Sequence, residues 1–96
     1  MEFIYSDLGN LDKGRIVEIV LKGNAANVQL LDSINFNNYK NGRRYQYFGG
    51  LVKQSSFYLA VPYFGHWYMT IDMRGLRGTV NASTRVLPAA LPIINQ

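Results

Sequence analysis

The chain has 96 residues and a mass of 10.9 kDa, a length that holds one domain. Its composition, 48% hydrophobic and 17% charged, is that of a globular protein rather than a disordered one. There is no cysteine, which excludes disulfides, thiolate metal sites and cysteine nucleophiles.

No apolar run approaches the roughly 18 residues of a membrane-spanning helix. No charged-then-apolar pattern opens the chain, and Glu2 and Asp7 sit where a secretory signal carries positive charge. The expectation is a cytoplasmic domain over 1–96 with no membrane partner. The formal charge of +4 is unevenly spread. Residues 1–32 hold five acids and three bases, a net of −2, whereas residues 33–96 hold seven bases against Asp72 alone, a net of +6. A shared face for the second group would favour an anionic partner.

Period two dominates the apolar pattern. Phe3 with Tyr5 suggests a first strand, closed by a Gly9-Asn10 turn. Val17, Ile19 and Leu21 alternate with Ile16, Glu18, Val20 and Lys22, a second strand that Gly23-Asn24 ends. Val28 and Leu30 oppose Asn27 and Gln29 in a third. The stretch 33–42 then breaks the pattern. Its four asparagines favour a loop, with room for one short helical turn capped by Ser33.

Beyond Asn41-Gly42, Tyr45 and Tyr47 suggest another strand, ending at a Gly49-Gly50 turn. Phe57, Leu59 and Val61 form a strand that Pro62 stops. After Gly65, Trp67, Met69, Ile71 and Met73 alternate with His66, Tyr68, Thr70 and Asp72, the clearest half-buried strand in the chain. The segment Gly75–Gly78 supplies a turn, and Val80, Ala82, Thr84 and Val86 oppose Asn81, Ser83 and Arg85 in a last strand. Residues 88–96 are a proline-containing tail. Seven or eight short strands bury their alternating faces only in two packed sheets or a closed barrel. The expected fold is therefore all-β: a small antiparallel β-sandwich or barrel, jelly-roll-like or Greek-key.

Catalytic constellations are thin. His66 is the only histidine, and Asp72 lies six strand residues away, about 20 Å, too far for a dyad. A hydrolase built on His66 is the enzymatic alternative, held below a non-catalytic reading. No ligand spacing suggests a metal, and no phosphate-loop pattern occurs, so no cofactor is expected. Arg74-Gly75-Leu76-Arg77-Gly78 reads either as a basic-rimmed hairpin turn or as a small anion nest.

The stretch 36–48 says most about binding. Three bases interleave with five aromatics and three asparagines. Arginine forks hold carboxylate or phosphate, and exposed rings stack on bases or sugars. Charge pairing falls to Lys40, Arg43 and Arg44, stacking to Tyr39 or Tyr45, and hydrogen bonding to Asn35, Asn38 and Asn41, with Tyr68 beside them. The competing reading places half of these aromatics in the core and the arginines on a solvated face.

Several motifs together carry a resemblance. They are Asn24-Ala25-Ala26-Asn27-Val28, Leu31-Asp32-Ser33 with Asn35-Phe36, Tyr39-Lys40 with Gly42, Tyr47 with Gly49-Gly50, and Gly65-His66-Trp67-Tyr68 ending in Asp72. In this order, over about residues 2–87, they resemble a small bacterial domain family of unknown function, joined in some members to a TIR domain. The resemblance implies a compact all-β domain with a cytoplasmic recognition or sensing role. It supplies no catalytic residue or cofactor. The resulting expectation is a non-catalytic module for an unidentified small ligand or protein partner. The alternatives are an oligomerising structural protein and a nucleic-acid or nucleotide binder working through Arg43 and Arg44.

Overall fold

The computed structural model describes residues 3–53, 55–73, 76 and 78–88. Seven strands and one helix follow in the order β1 (Ile4–Leu11), β2 (Ile16–Gly23), β3 (Ala26–Asp32), α1 (Ser33–Lys40), β4 (Phe48–Val52), β5 (Phe57–Ala60), β6 (Gly65–Asp72) and β7 (Val80–Val86). They form a four-stranded sheet, β1-β6-β3-β4, and a three-stranded sheet, β5-β2-β7, with antiparallel pairing throughout. The pairs β3–β4, β2–β5 and β1–β6 are nested and fall alternately into the two sheets, as when one long hairpin rolls up. This is a jelly-roll-like path.

Alternation decides what lies between the sheets. Val17, Ile19 and Leu21 of β2 meet Val28 and Leu30 of β3 and Trp67, Met69 and Ile71 of β6, all buried. Trp67 is fully enclosed, and its indole Nε1–H donates to the Tyr63 carbonyl across 3.1 Å. That bond satisfies the one polar group the ring brings into the core. Val61, just past β5, packs into the same core ahead of Pro62, as expected of a strand that ends there.

Three expectations are corrected. Gly9-Asn10 is not a turn. It lies inside β1, where the register against β6 shifts between Asp7 and Gly9, and the positive φ of Gly9 (75°) accommodates the irregularity. Tyr45 and Tyr47 are not in a strand, because β4 begins at Phe48 and Gly49-Gly50 lies within it. At Gly49 the φ is 126°, and an added Cβ would stand 2.2 Å from the Val28 carbonyl oxygen, so β4 approaches β3 this closely only without a side chain.

The third correction is the largest. The stretch 33–40 is a two-turn helix, and its cap is Asp32 rather than Ser33. The Asp32 carboxylate accepts from the Asn35 backbone N–H across 2.9 Å and so satisfies a free donor of the first turn. Phe36 and Tyr39, three residues apart, both point down onto the outer face of the four-stranded sheet. There they join Leu31, with Phe3, Tyr45 and Tyr68 packed around them. Tertiary packing of these rings, not the weak propensity of the asparagines, holds the helix. The Arg74–Gly78 turn or nest and the 88–96 tail fall largely outside the described residues.

Candidate ligand-binding surface

The outer face of the four-stranded sheet is polar along its middle rows. Asn27 pairs with Asp72 and Gln29 with Thr70 across β3 and β6. The helix covers these rows. Tyr39 donates its hydroxyl to Asp72 Oδ2 across 2.7 Å, and the Asn27 amide donates to Asp72 Oδ1 across 2.9 Å. Thr70 Oγ1 donates to Gln29 Oε1, and the Gln29 amide donates to the Tyr45 hydroxyl across 3.0 Å. Burial and the neighbouring Asp72 carboxylate push the Tyr39 hydroxyl far above its ordinary pKa, so it stays a proton donor. Buried polar groups are tolerable when they are bonded in this way.

This network changes the parts assigned to several candidates. Tyr39 is 1% exposed and offers no ring face to a ligand, because its hydroxyl is needed at Asp72. Tyr45 is half-buried, with its ring edge-on to Tyr39 at 5.0 Å. Asn35 spends its amide on Asp32 and its carbonyl oxygen on the Gln46 N–H. Asn41 turns its amide back onto the Asn37 carbonyl at 2.7 Å. Asn38 is partly buried, and its carbonyl receives the Arg43 N–H across 2.9 Å. The asparagines Asn35, Asn38 and Asn41 therefore shape the end of α1 and the segment after it.

That shaping brings the bases together. The Asn41 N–H closes the last helical turn, Gly42 reverses the chain at φ 71°, and the Arg43 bond to Asn38 fixes the exit. Lys40, Arg43 and Arg44 emerge at this corner, all exposed. Among the described residues the ion pairs are Asp7–His66 and Glu18–Arg85, so none of the three bases is held by a carboxylate there. Tyr47, just beyond, is exposed and 5.8 Å from the Tyr45 ring. Sequence parity could not separate Tyr47 from Tyr45, since both share it and neither lies in a strand. Arg74 and Arg77 fall outside the described residues, so only the first three bases are placed at this corner.

Tyr68 sits on the other side of α1. Its ring stacks on Phe36 at 4.0 Å and 8°, and His66 is 5.0 Å away. Tyr5, exposed on β1, lies 5.1 Å from Phe36. Lys40 Nζ stands 5.2 Å from the Phe36 ring centroid and links this aromatic patch to the basic corner. His66 does meet a carboxylate, but that of Asp7: Nε2 and Oδ1 are 2.5 Å apart. The Gly9 N–H, and then His66, hold the Asp7 carboxyl below its usual range. No sequence signal marks this pair, because it depends on the register of β1 against β6. Asp72, as the spacing requires, is occupied elsewhere.

A cleft of about 600 Å³ opens at the side of the sandwich, with Phe3, Ile4, Ile71, Asp72, Met73 and Val80 among the residues that line it. It is separate from the basic corner. No group of three or more metal-ligating side chains occurs among the described residues. No helix among them is long and apolar enough to cross a membrane.

The molecule is thus a small all-β domain of two antiparallel sheets, with one helix laid over the larger. It belongs to the family described as "Domain of unknown function (DUF1883)", whose model matches residues 1–90. No curated protein and no solved structure matches the chain.

Proposed function

We propose that this chain is a non-catalytic recognition domain that binds an anionic ligand at the corner formed by Lys40, Arg43, Arg44 and Tyr47. One observation carries the reading. Three exposed bases lie within five residues of chain, beside an exposed ring, with no carboxylate among the described residues to neutralise them. Guanidinium forks suit phosphate or carboxylate, and an adjacent ring suits the flat face of a base or sugar. The resemblance to bacterial domains joined to TIR domains supports a cytoplasmic sensing role.

The test is fluorescence anisotropy with a labelled single-stranded oligonucleotide and with labelled ATP. Arg43→Ala combined with Arg44→Ala weakens binding at least tenfold and leaves the melting temperature nearly unchanged, since neither side chain packs in the core. Wild-type affinity falls steeply with added salt as counterions are released. Equal affinity in the double variant, with Lys53→Ala as the exposed-base control, would overturn the assignment.

A further inference from the structure

Among the described residues the two sheets end in four edge strands, which differ in how they resist a new strand. β1 is interrupted by its register shift and Gly9. β4 has five residues and two positive-φ glycines. β5 has four residues and ends before Pro62. Bulges, glycines, prolines and short length are the usual ways of blocking edge-to-edge pairing. β7 has no bulge, no internal glycine and no short length; Pro88 lies two residues beyond it, as Pro62 does beyond β5, and leaves Val80–Val86 itself uninterrupted. Its seven residues, Val-Asn-Ala-Ser-Thr-Arg-Val, keep continuous register with β2. It has no lysine, and its one charge, Arg85, is already bonded to Glu18 at 2.6 Å.

The direction of its backbone groups follows from the bonds that bracket it. The Leu87 N–H donates to the Ile16 carbonyl, and the Asn24 N–H donates to the Thr79 carbonyl. Odd-numbered residues of β7 therefore point their backbone groups at β2. Even-numbered residues, Val80, Ala82, Thr84 and Val86, point theirs away from the sheet.

We propose that β7 is a self-pairing edge that joins two copies of this chain about a two-fold axis at Ser83. In this register every residue of the strand finds a partner. Ala82 and Thr84 exchange hydrogen bonds with Thr84 and Ala82 of the second copy, and Val80 does so with Val86. On the outer face Asn81 stands opposite Arg85, and Ser83 opposite Ser83. No two like charges are directly opposed.

A second observation points the same way. The apolar cleft lined by Ile4, Ile71, Met73 and Val80 opens beside the start of β7. Ile4 is half exposed there. Pairing brings Val86 of the second copy against Val80, at the mouth of that cleft. An isologous contact of this kind closes on itself and stops at a dimer.

Sedimentation velocity over a hundredfold concentration range tests the association, and single cysteines in this cysteine-free chain test the register. At a non-hydrogen-bonded antiparallel pair the Cα atoms are about 4.5 Å apart, within disulfide range. Ser83→Cys is expected to cross-link under mild oxidation at least tenfold faster than Asn81→Cys or Arg85→Cys, which do not face themselves. Ser83→Lys, an exposed change, is expected to return the protein to monomer with its circular dichroism unchanged. A monomer at every concentration, a dimer that survives Ser83→Lys, or equal cross-linking at 81, 83 and 85 would each overturn the proposal. None of these results bears on anion binding at Arg43 and Arg44.

Discussion

Tyr39 and Asp72 are 33 positions apart, and the hydroxyl of the first donates to the carboxylate of the second across 2.7 Å. This bond fastens α1 to the far end of β6, under a roof of aromatic rings. Asp72 is 5% exposed, so its charge has little water to rely on.

Tyr39→Phe keeps the ring and removes the donor. A hydrogen bond to a charged group contributes about 1.5–3 kcal/mol, so the variant is expected to lose stability on that scale. At about 4–8 °C per kcal/mol for a domain this size, the melting temperature falls visibly. Urea denaturation checks the same loss at constant temperature. An unchanged midpoint would mean that the remaining partners of Asp72, Asn27 among them, suffice without the hydroxyl.

Gly49 offers a test of strand pairing. Its backbone is left-handed, and an added Cβ would collide with the Val28 carbonyl, itself backbone that cannot rotate away. Gly42 also has positive φ, but open space surrounds its Cβ position. Gly42→Ala is expected to cost only the conformational term, about 1–2 kcal/mol. Gly49→Ala adds the collision and destabilises more, with exchange protection lost first along β3–β4. Equal melting temperatures for the two variants would show that the strand shifts without cost.

How much of this was legible follows from what determines each element. The sandwich was readable because Trp67, Met69 and Ile71 alternate with polar residues, and only a strand sorts them onto opposite faces. The helix was not. It has eight residues, too short to show a repeating stripe, and its three asparagines, with Asn41 just beyond, argue locally for a loop. Phe36 and Tyr39 become a helical face only when the sheet beneath them exists. The basic corner was legible as residue types, since Lys40, Arg43 and Arg44 are close in sequence. The withdrawal of Tyr39 into the core, and the pairing of His66 with Asp7, depend on contacts 33 and 59 positions apart.

Trp67 reports on the core directly. It is the sole tryptophan and is fully buried between the sheets, 4.9 Å from the Tyr63 ring. Its emission is expected to be blue-shifted and resistant to iodide, moving red in a single transition as the sandwich opens. A small domain should unfold as one unit, so this transition and far-ultraviolet circular dichroism should coincide. Iodide quenching in the native state would contradict the enclosed placement.

Asp32 links helix capping to pH. Burial raises the cost of its charge, but the Tyr63 hydroxyl and the Asn35 backbone and side-chain N–H groups outweigh that and hold its pKa below the ordinary value. The same contact, with some burial, pushes the Tyr63 hydroxyl up to about 12. A carboxyl with a lowered folded-state pKa binds protons more readily when unfolded, so its stabilisation is present above the unfolded value near 3.9. It is lost as pH falls below that value through the folded one. Asparagine caps a helix about as well as aspartate but does not titrate. Asp32→Asn is therefore expected to keep most of the stability at pH 7 and to flatten its decline below about pH 4. Asp32→Ala should instead lose about 0.5–2 kcal/mol at neutral pH, as cap removal does. Urea midpoints of the three proteins from pH 2.5 to 7 separate the two effects. Parallel curves for wild type and Asp32→Asn would show that the Asp32 charge plays no part in acid unfolding.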